Sequence, residues 1–165
     1  MDGAFEFRPA TNADAEAVRG LVFAVLREHG LAPDPADTDA DLYDIESSYP
    51  RAGGSFDLLL DAADAVVGTV GLVPTGEGRC ELRKMYLAPA HRGRGLGKRL
   101  LGHALERARQ LGFQRVELET VGVLRAAIGL YESFGFRPFF PDHTSAGPGR
   151  VDRAYFLELG GHESA

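Results

Sequence analysis

The segment spanning residues 92–101, RGRGLGKRLL, constrains the fold of this chain more than any other. It holds three glycines and four basic residues in ten positions and runs straight into an apolar pattern. Before it, residues 80–87 read as a strand. After it, Leu96, Leu100, Ala104, Leu105, Ala108 and Leu111 recur at helical spacing and make one apolar stripe. A strand, a glycine turn and a helix start in succession give a seat for an anion. The first turn of a helix has unpaired amides and a partial positive charge, and glycine lets a ligand approach the backbone closely.

Two nucleotide motifs are excluded by single positions. A P-loop requires Gly where Arg92 stands and Ser or Thr where Arg99 stands; a dinucleotide fingerprint requires Gly in place of Lys98. The charge distribution still favours a small anion. The chain carries a net charge of −6 from 18 Lys and Arg against 24 Asp and Glu, which argues against non-specific binding to nucleic acid. Yet residues 82–105 contain six basic side chains (Arg83, Lys84, Arg92, Arg94, Lys98, Arg99) and no acidic one.

The remaining elements follow from periodicity and punctuation. Residues 5–10 alternate as a first strand. Thr11 or Asn12 caps a helix that presents Val18, Leu21, Val22, Val25 and Leu26 on one face and stops at Gly30. A second short helix, capped by Asp37 or Thr38, is expected within residues 37–49. Strands are predicted at 55–61, 66–73, 80–87, 113–121, 136–140 and 154–159, and helices at 95–111 and 124–134. The order β-α-α-β-β-β-α-β-α-β-β indicates a mixed α/β domain, and the length of 165 residues suits one domain over the whole chain. There is no run of about 18 apolar residues and no secretion signal. The lone Cys80 reads as a buried strand thiol in a reducing, cytoplasmic setting. His29, His91, His103, His143 and His162 form no pair at ligand spacing, so no metal site is expected.

Arg92, Gly95 and Gly97 match the form [QR]-x-x-G-x-[GA]. Together with FRPATNADAEAV at the start, ELRKMYLAPAHRGRGLGKRLL in the middle and AAIGLYESFGF near the end, they make the chain resemble the GNAT superfamily of N-acetyltransferases over nearly its whole length. The resemblance implies a GNAT-like mixed α/β fold: a central, mostly antiparallel sheet whose parallel central strands splay apart, flanked by about four helices. It implies acetyl-CoA as donor, with backbone groups of Met85 and Leu87, on either side of Tyr86, pairing with the pantetheine. Amides of Arg92, Gly93, Arg94, Gly95, Leu96, Gly97 and Lys98 would hold the pyrophosphate.

The implied reaction is direct transfer of the acetyl group to a primary amine of a small molecule, amino acid or peptide. Tyr131 matches the family's tyrosine acid near the sulfur; its other reading is a helix tyrosine packing beside Leu130 and Phe134. Glu81 is the candidate base, with Glu117 and Glu119 as alternatives, and a salt bridge to Arg83 is its other reading. The oxyanion would meet a backbone N–H near Met85 or Tyr86. Many members carry an asparagine seven residues before the tyrosine; here that position is Leu124, and the Thr120 hydroxyl could take over its contact.

The acceptor is expected at the first two helices and the late loop, with Tyr43, Glu46 and Tyr49, beside Asp44, as substrate-binding candidates. Asp142, His143, Arg150, Asp152 and Arg153 make up the second cluster. Acidic excess suits a cationic amine, whereas Arg150 and Arg153 suit a carboxylate. The rival class is a non-catalytic acyl-CoA-binding sensor. Adjacent hydrophobic strands are compatible with a homodimer.

Overall fold

A computed structural model describes residues 4–141 and 150–160. In chain order the elements are β1 (Glu6–Pro9), α1 (Ala15–Glu28), α2 (Ile45–Ser48), β2 (Ser55–Leu60), β3 (Val66–Gly76), β4 (Arg79–Leu87), α3 (Leu96–Gln110), β5 (Arg115–Thr120), α4 (Arg125–Ser133), β6 (Arg137–Pro138) and β7 (Arg153–Glu158). This is the expected order, element for element.

A 3-10 turn (Asn12–Asp14) leads into the first helix, and the capping box sits on that turn. The Thr11 side chain accepts from the Ala13 amide, and the Asp14 carboxylate accepts from the Thr11 amide at 2.9 Å and from Arg8 at 2.9 and 3.0 Å. This reciprocal box satisfies orphan donors of the first turn. Val18, Val22, Val25 and Leu26 of α1 are buried, as the 3.6-residue period requires. On α3 the buried set is Leu96, Leu100, Leu101, Ala104, Leu105 and Ala108.

The seven strands form one mixed sheet in the order β1-β2-β3-β4-β5-β7-β6. All neighbours are antiparallel except β4 and β5, which run parallel. Each face of the sheet has its own apolar cluster. One is built by α1 and α2 with Leu42, Tyr49, Phe56, Leu58 and Leu60. The other is built by α3 and α4 with Leu59, Leu72, Leu82, Leu118 and Tyr155.

Two elements depart from expectation. The single helix expected within residues 37–49 is instead a 3-10 turn (Ala40–Tyr43) followed by the one-turn α2. Asp44 separates them with an extended backbone, φ −151°, because its carboxylate caps α2 through the Ser47 amide at 3.2 Å. The strand expected at 136–140 extends only over Arg137–Pro138, with one further bond to β7 from the Phe139 amide to the Ala154 carbonyl at 3.0 Å. Asp142, His143 and His162 lie outside the described residues. No described helix is long and apolar enough to cross a membrane.

Candidate active site

The glycine turn is built as an exposed rim of amides. After Leu87 the chain makes a 3-10 turn (Pro89–His91), and Arg92 leaves it in an extended conformation. Gly93 and Gly95 then adopt φ of +76° and +79°, a region costly for any residue with a Cβ. Gly95 is the N-cap of α3 and makes no side-chain cap bond, and a Cβ at Gly93 or Gly95 would meet nothing within 4 Å. The amides here therefore border open space. Leu96 is 2% exposed and anchors the helix start in the core.

The basic residues of the turn divide by role. Arg92 donates from Nε and from one terminal nitrogen to the Leu87 carbonyl, at 3.3 and 3.2 Å, and from the other to Glu28 of α1 at 2.6 Å. It braces the turn against both β4 and α1. The guanidiniums of Arg94 and Arg99 lie over the Phe5 and Phe7 rings, 5.5 and 6.0 Å from their centroids. Lys98 lines the cavity described next, together with Arg92, Gly93, Gly95 and Gly97.

That cavity, about 540 Å³, occupies a gap in the sheet. β4 and β5 are paired only from Arg79 to Leu82 and from Arg115 to Leu118; beyond that β4 runs on to Leu87 with no partner on that side. A bulge turns the strand at the same place. The register to β3 shifts between Arg83 and Tyr86, Lys84 has φ +55°, and the Thr69 hydroxyl donates to the Lys84 carbonyl at 2.7 Å. The bulge inverts the alternation of side chains. Cys80 and Leu82 join the cluster under α3 and α4, and after the bulge Met85 and Leu87 do so, while Tyr86 packs under α1. In a regular strand Glu81, Arg83, Met85 and Leu87 would share one face; the bulge breaks that relation between Arg83 and Met85.

Glu81 and Tyr131 both line the gap, from opposite faces of the sheet. Glu81 is 6% exposed on the α1 face, beside Val73, and its Oε1 accepts from Arg83 Nε at 2.6 Å. Glu119 of β5 borders the same opening, whereas Glu117 accepts from Arg115 at 2.7 Å and is not among the lining residues. Tyr131 belongs to the α4 cluster, its ring tilted against Phe136 at 5.7 Å between centroids. Burial, with Tyr86 adding to it, pushes its phenol well above the usual tyrosine value. Leu124, seven residues before Tyr131, lines the cavity, and so does Thr120.

The α1-side mouth of the gap is a tight ionic cluster that periodicity could not reveal. Asp39 is fully buried and is held by both terminal nitrogens of Arg150, at 2.9 and 3.0 Å. Lys84, carried inward by the bulge, donates to Asp41 at 3.0 and 3.1 Å and to the Thr38 carbonyl at 3.0 Å. Tyr49 is 0% exposed, and its hydroxyl donates to Asp41 from behind.

None of the three acceptor candidates from the sequence borders the cavity. Tyr49 sits in the core. Glu46 is tied to the Asn12 amide at 2.8 Å and to Arg51 at 3.2 Å. Tyr43 lies on the outer surface beneath the Arg19 guanidinium, at 4.1 Å. In their place Asp37, Thr38, Asp41, Arg83, Lys84, Glu119 and Arg150 line the mouth. Arg153 faces a second depression beside Arg125 instead.

Comparison with known proteins agrees with this geometry. Residues 22–136 match the model of the acetyltransferase (GNAT) family. The chain is 39% identical over 150 residues, 88% of each protein, to the uncharacterized N-acetyltransferase YjgM of Escherichia coli (strain K12). An acetyltransferase of the GNAT family from Staphylococcus aureus Mu50 superposes with a TM-score of 0.85 at 25% identity, covering 95% of this chain and all of that one. The structure of yncA from Salmonella typhimurium, solved with its cofactor acetyl-CoA, superposes at 0.74 with 22% identity, covering 98% and 97%.

Proposed function

The chain belongs to the acetyltransferase (GNAT) family, and from that premise we propose that it transfers the acetyl group of acetyl-CoA directly to a primary amine of a small molecule, amino acid or peptide. One observation carries the reading. A single cavity joins an amide-rimmed, cationic turn on one side of a splayed sheet to a carboxylate-lined mouth on the other. A donor bearing phosphates and an amine acceptor would meet in the gap between β4 and β5.

Each wall of the gap has a task. The first-turn amides of α3, with Lys98 beside them, hold the pyrophosphate. The unpaired edge of β4 offers the pantetheine a strand to lie against. Glu81 takes a proton from the attacking nitrogen, directly or through one water, and a backbone N–H near Met85 or Tyr86 meets the oxyanion. As the new C–N bond forms and the C–S bond breaks, the leaving thiolate takes the Tyr131 proton. Held together at the gap, the two reactants need no further diffusion to react.

The test is thiol release from acetyl-CoA across a panel of amines, with Glu81→Gln and Tyr131→Phe alongside. Turnover with at least one amine, reduced by both substitutions, is expected. Tight acetyl-CoA binding with no thiol release from any amine would replace the enzyme with an acyl-CoA sensor.

A further inference from the structure

Four of the six basic residues between Leu82 and Leu105 are already committed. Arg83 is held by Glu81 at 2.6 Å and Lys84 by Asp41 at 3.0 Å. Arg92 is clamped between the Leu87 carbonyl and Glu28, and Arg99 is likewise engaged. Arg94 and Lys98 are left. Both are exposed, and neither makes a hydrogen bond or an ion pair among the described residues.

These two cations stand in different places around the rim of amides. Lys98 lines the cavity. Gly93 and Gly95 line it too, but Arg94 between them does not. Its guanidinium lies instead over the Phe5 ring, 5.5 Å from the centroid. Phe5 is 7% exposed and meets the His91 ring edge-on at 5.6 Å, so the ring beneath Arg94 is itself fixed in the core. A guanidinium resting on a fixed ring is pre-oriented, and its N–H donors remain unspent.

The donor has one phosphate more than the amide rim and Lys98 account for. Beyond its pyrophosphate, on the side away from the thioester, coenzyme A carries a phosphomonoester on the ribose 3′ oxygen. Such a monoester bears a charge of about −1.5 to −2 at neutral pH. We infer that Arg94 seats this 3′-phosphate and makes the chain selective for acetyl-CoA over thioesters that lack it. The inference rests on the acetyl-transfer reading above and deepens its donor site. The planar fork of Arg94 matches two phosphate oxygens at once, outside the cavity, while Lys98 serves the pyrophosphate within it.

Acetyl-CoA and acetyl-dephospho-CoA, which differ only in that phosphate, provide the test, read by calorimetry at low salt. The native chain should bind acetyl-CoA about tenfold more tightly, and the difference should shrink as ionic strength rises. Arg94→Gln should bring the two donors to within about twofold of each other, whereas Arg94→Lys, a charge without the fork, should keep part of the preference. Lys98→Gln should weaken both donors alike and leave their ratio near the native one. Each ratio is measured within one variant, so a change in that variant's stability cancels. Equal affinity of the native chain for the two donors, or an Arg94→Gln variant that weakens both to the same degree, overturns the assignment and leaves the donor reading standing. Binding of neither thioester refutes the donor reading and this assignment with it.

Discussion

Arg150 holds Asp39 with both terminal nitrogens, joining the connection between α1 and α2 to the segment that enters β7. Asp39 is completely buried, and Lys84 lies 3.5 Å from it. Removing one member of a buried ionic group leaves the others charged in a low-dielectric setting. Asp39→Ala should cost about 3–5 kcal/mol of unfolding free energy, read from urea denaturation. Arg150→Met, which leaves Asp39 with Lys84, should cost less.

The same pair predicts an acid limb. Burial alone would raise the Asp39 carboxyl; hydrogen bonds from Arg150 and the Asp34 amide, with the charge of Lys84, outweigh it and hold the pKa below the usual value. A carboxylate with a depressed folded pKa contributes stability above its unfolded value, near 3.9, and loses it as pH falls through the folded value. The stability gap between the native chain and Asp39→Asn should be constant from about pH 7 to pH 5 and close below about pH 4. A gap that instead widened in acid would mean that Asp39 is protonated in the folded state.

Tyr131 contributes its ring to the core and its hydroxyl to the cavity, and the hydroxyl has no hydrogen-bond partner among the described residues. Tyr131→Phe should therefore change stability by less than about 1 kcal/mol while lowering kcat by about 10²-fold, with acetyl-CoA affinity nearly unchanged. Because burial raises the phenol, no alkaline fall in kcat should arise from Tyr131 up to about pH 10. Equal kcat in the variant would remove the hydroxyl from the mechanism.

The glycine turn predicts a split between folding and binding. Gly93→Ala and Gly95→Ala force a Cβ into positive φ and should each cost about 1–2 kcal/mol as well as raising the KM for acetyl-CoA. Gly97 is helical, and a Cβ there would lie 3.5 Å from Leu130, an ordinary contact. Gly97→Ala should keep full stability yet bind the donor more weakly. Thermal melts with and without acetyl-CoA separate the two effects.

Cys80 is 0% exposed, and burial, with Glu117 and Glu81 nearby, pushes its thiol up to about 12. It should resist iodoacetamide at pH 8 in the folded protein and react fully in denaturant. Fast labelling of native protein would show that β4 opens locally.

The reading of the sequence succeeded where a signal is local. The glycine turn, its helix and the apolar stripe from Leu96 to Ala108 are encoded within a few turns of chain, and so is the capping box of Thr11 and Asp14. It failed where function depends on partners far apart. Asp39 and Asp41 were not singled out, because Lys84 lies 43 residues from Asp41 and Arg150 lies 111 from Asp39. Tyr49 stood among the substrate-binding candidates for the same reason: its partner, Asp41, belongs to that cluster. A bulge in this strand could be weighed from the sequence but not placed, since the positive φ of Lys84 leaves no mark in the alternation of RCELRKMYL.

The gap between β4 and β5 opens on both faces of the sheet, toward α3 and α4 on one and toward the connection after α1 and Arg150 on the other. On the proposed reading the two reactants would therefore have separate doors. A substitution at Arg150 would then act on the acceptor without disturbing the glycine turn, and neither substrate would need to leave before the other entered.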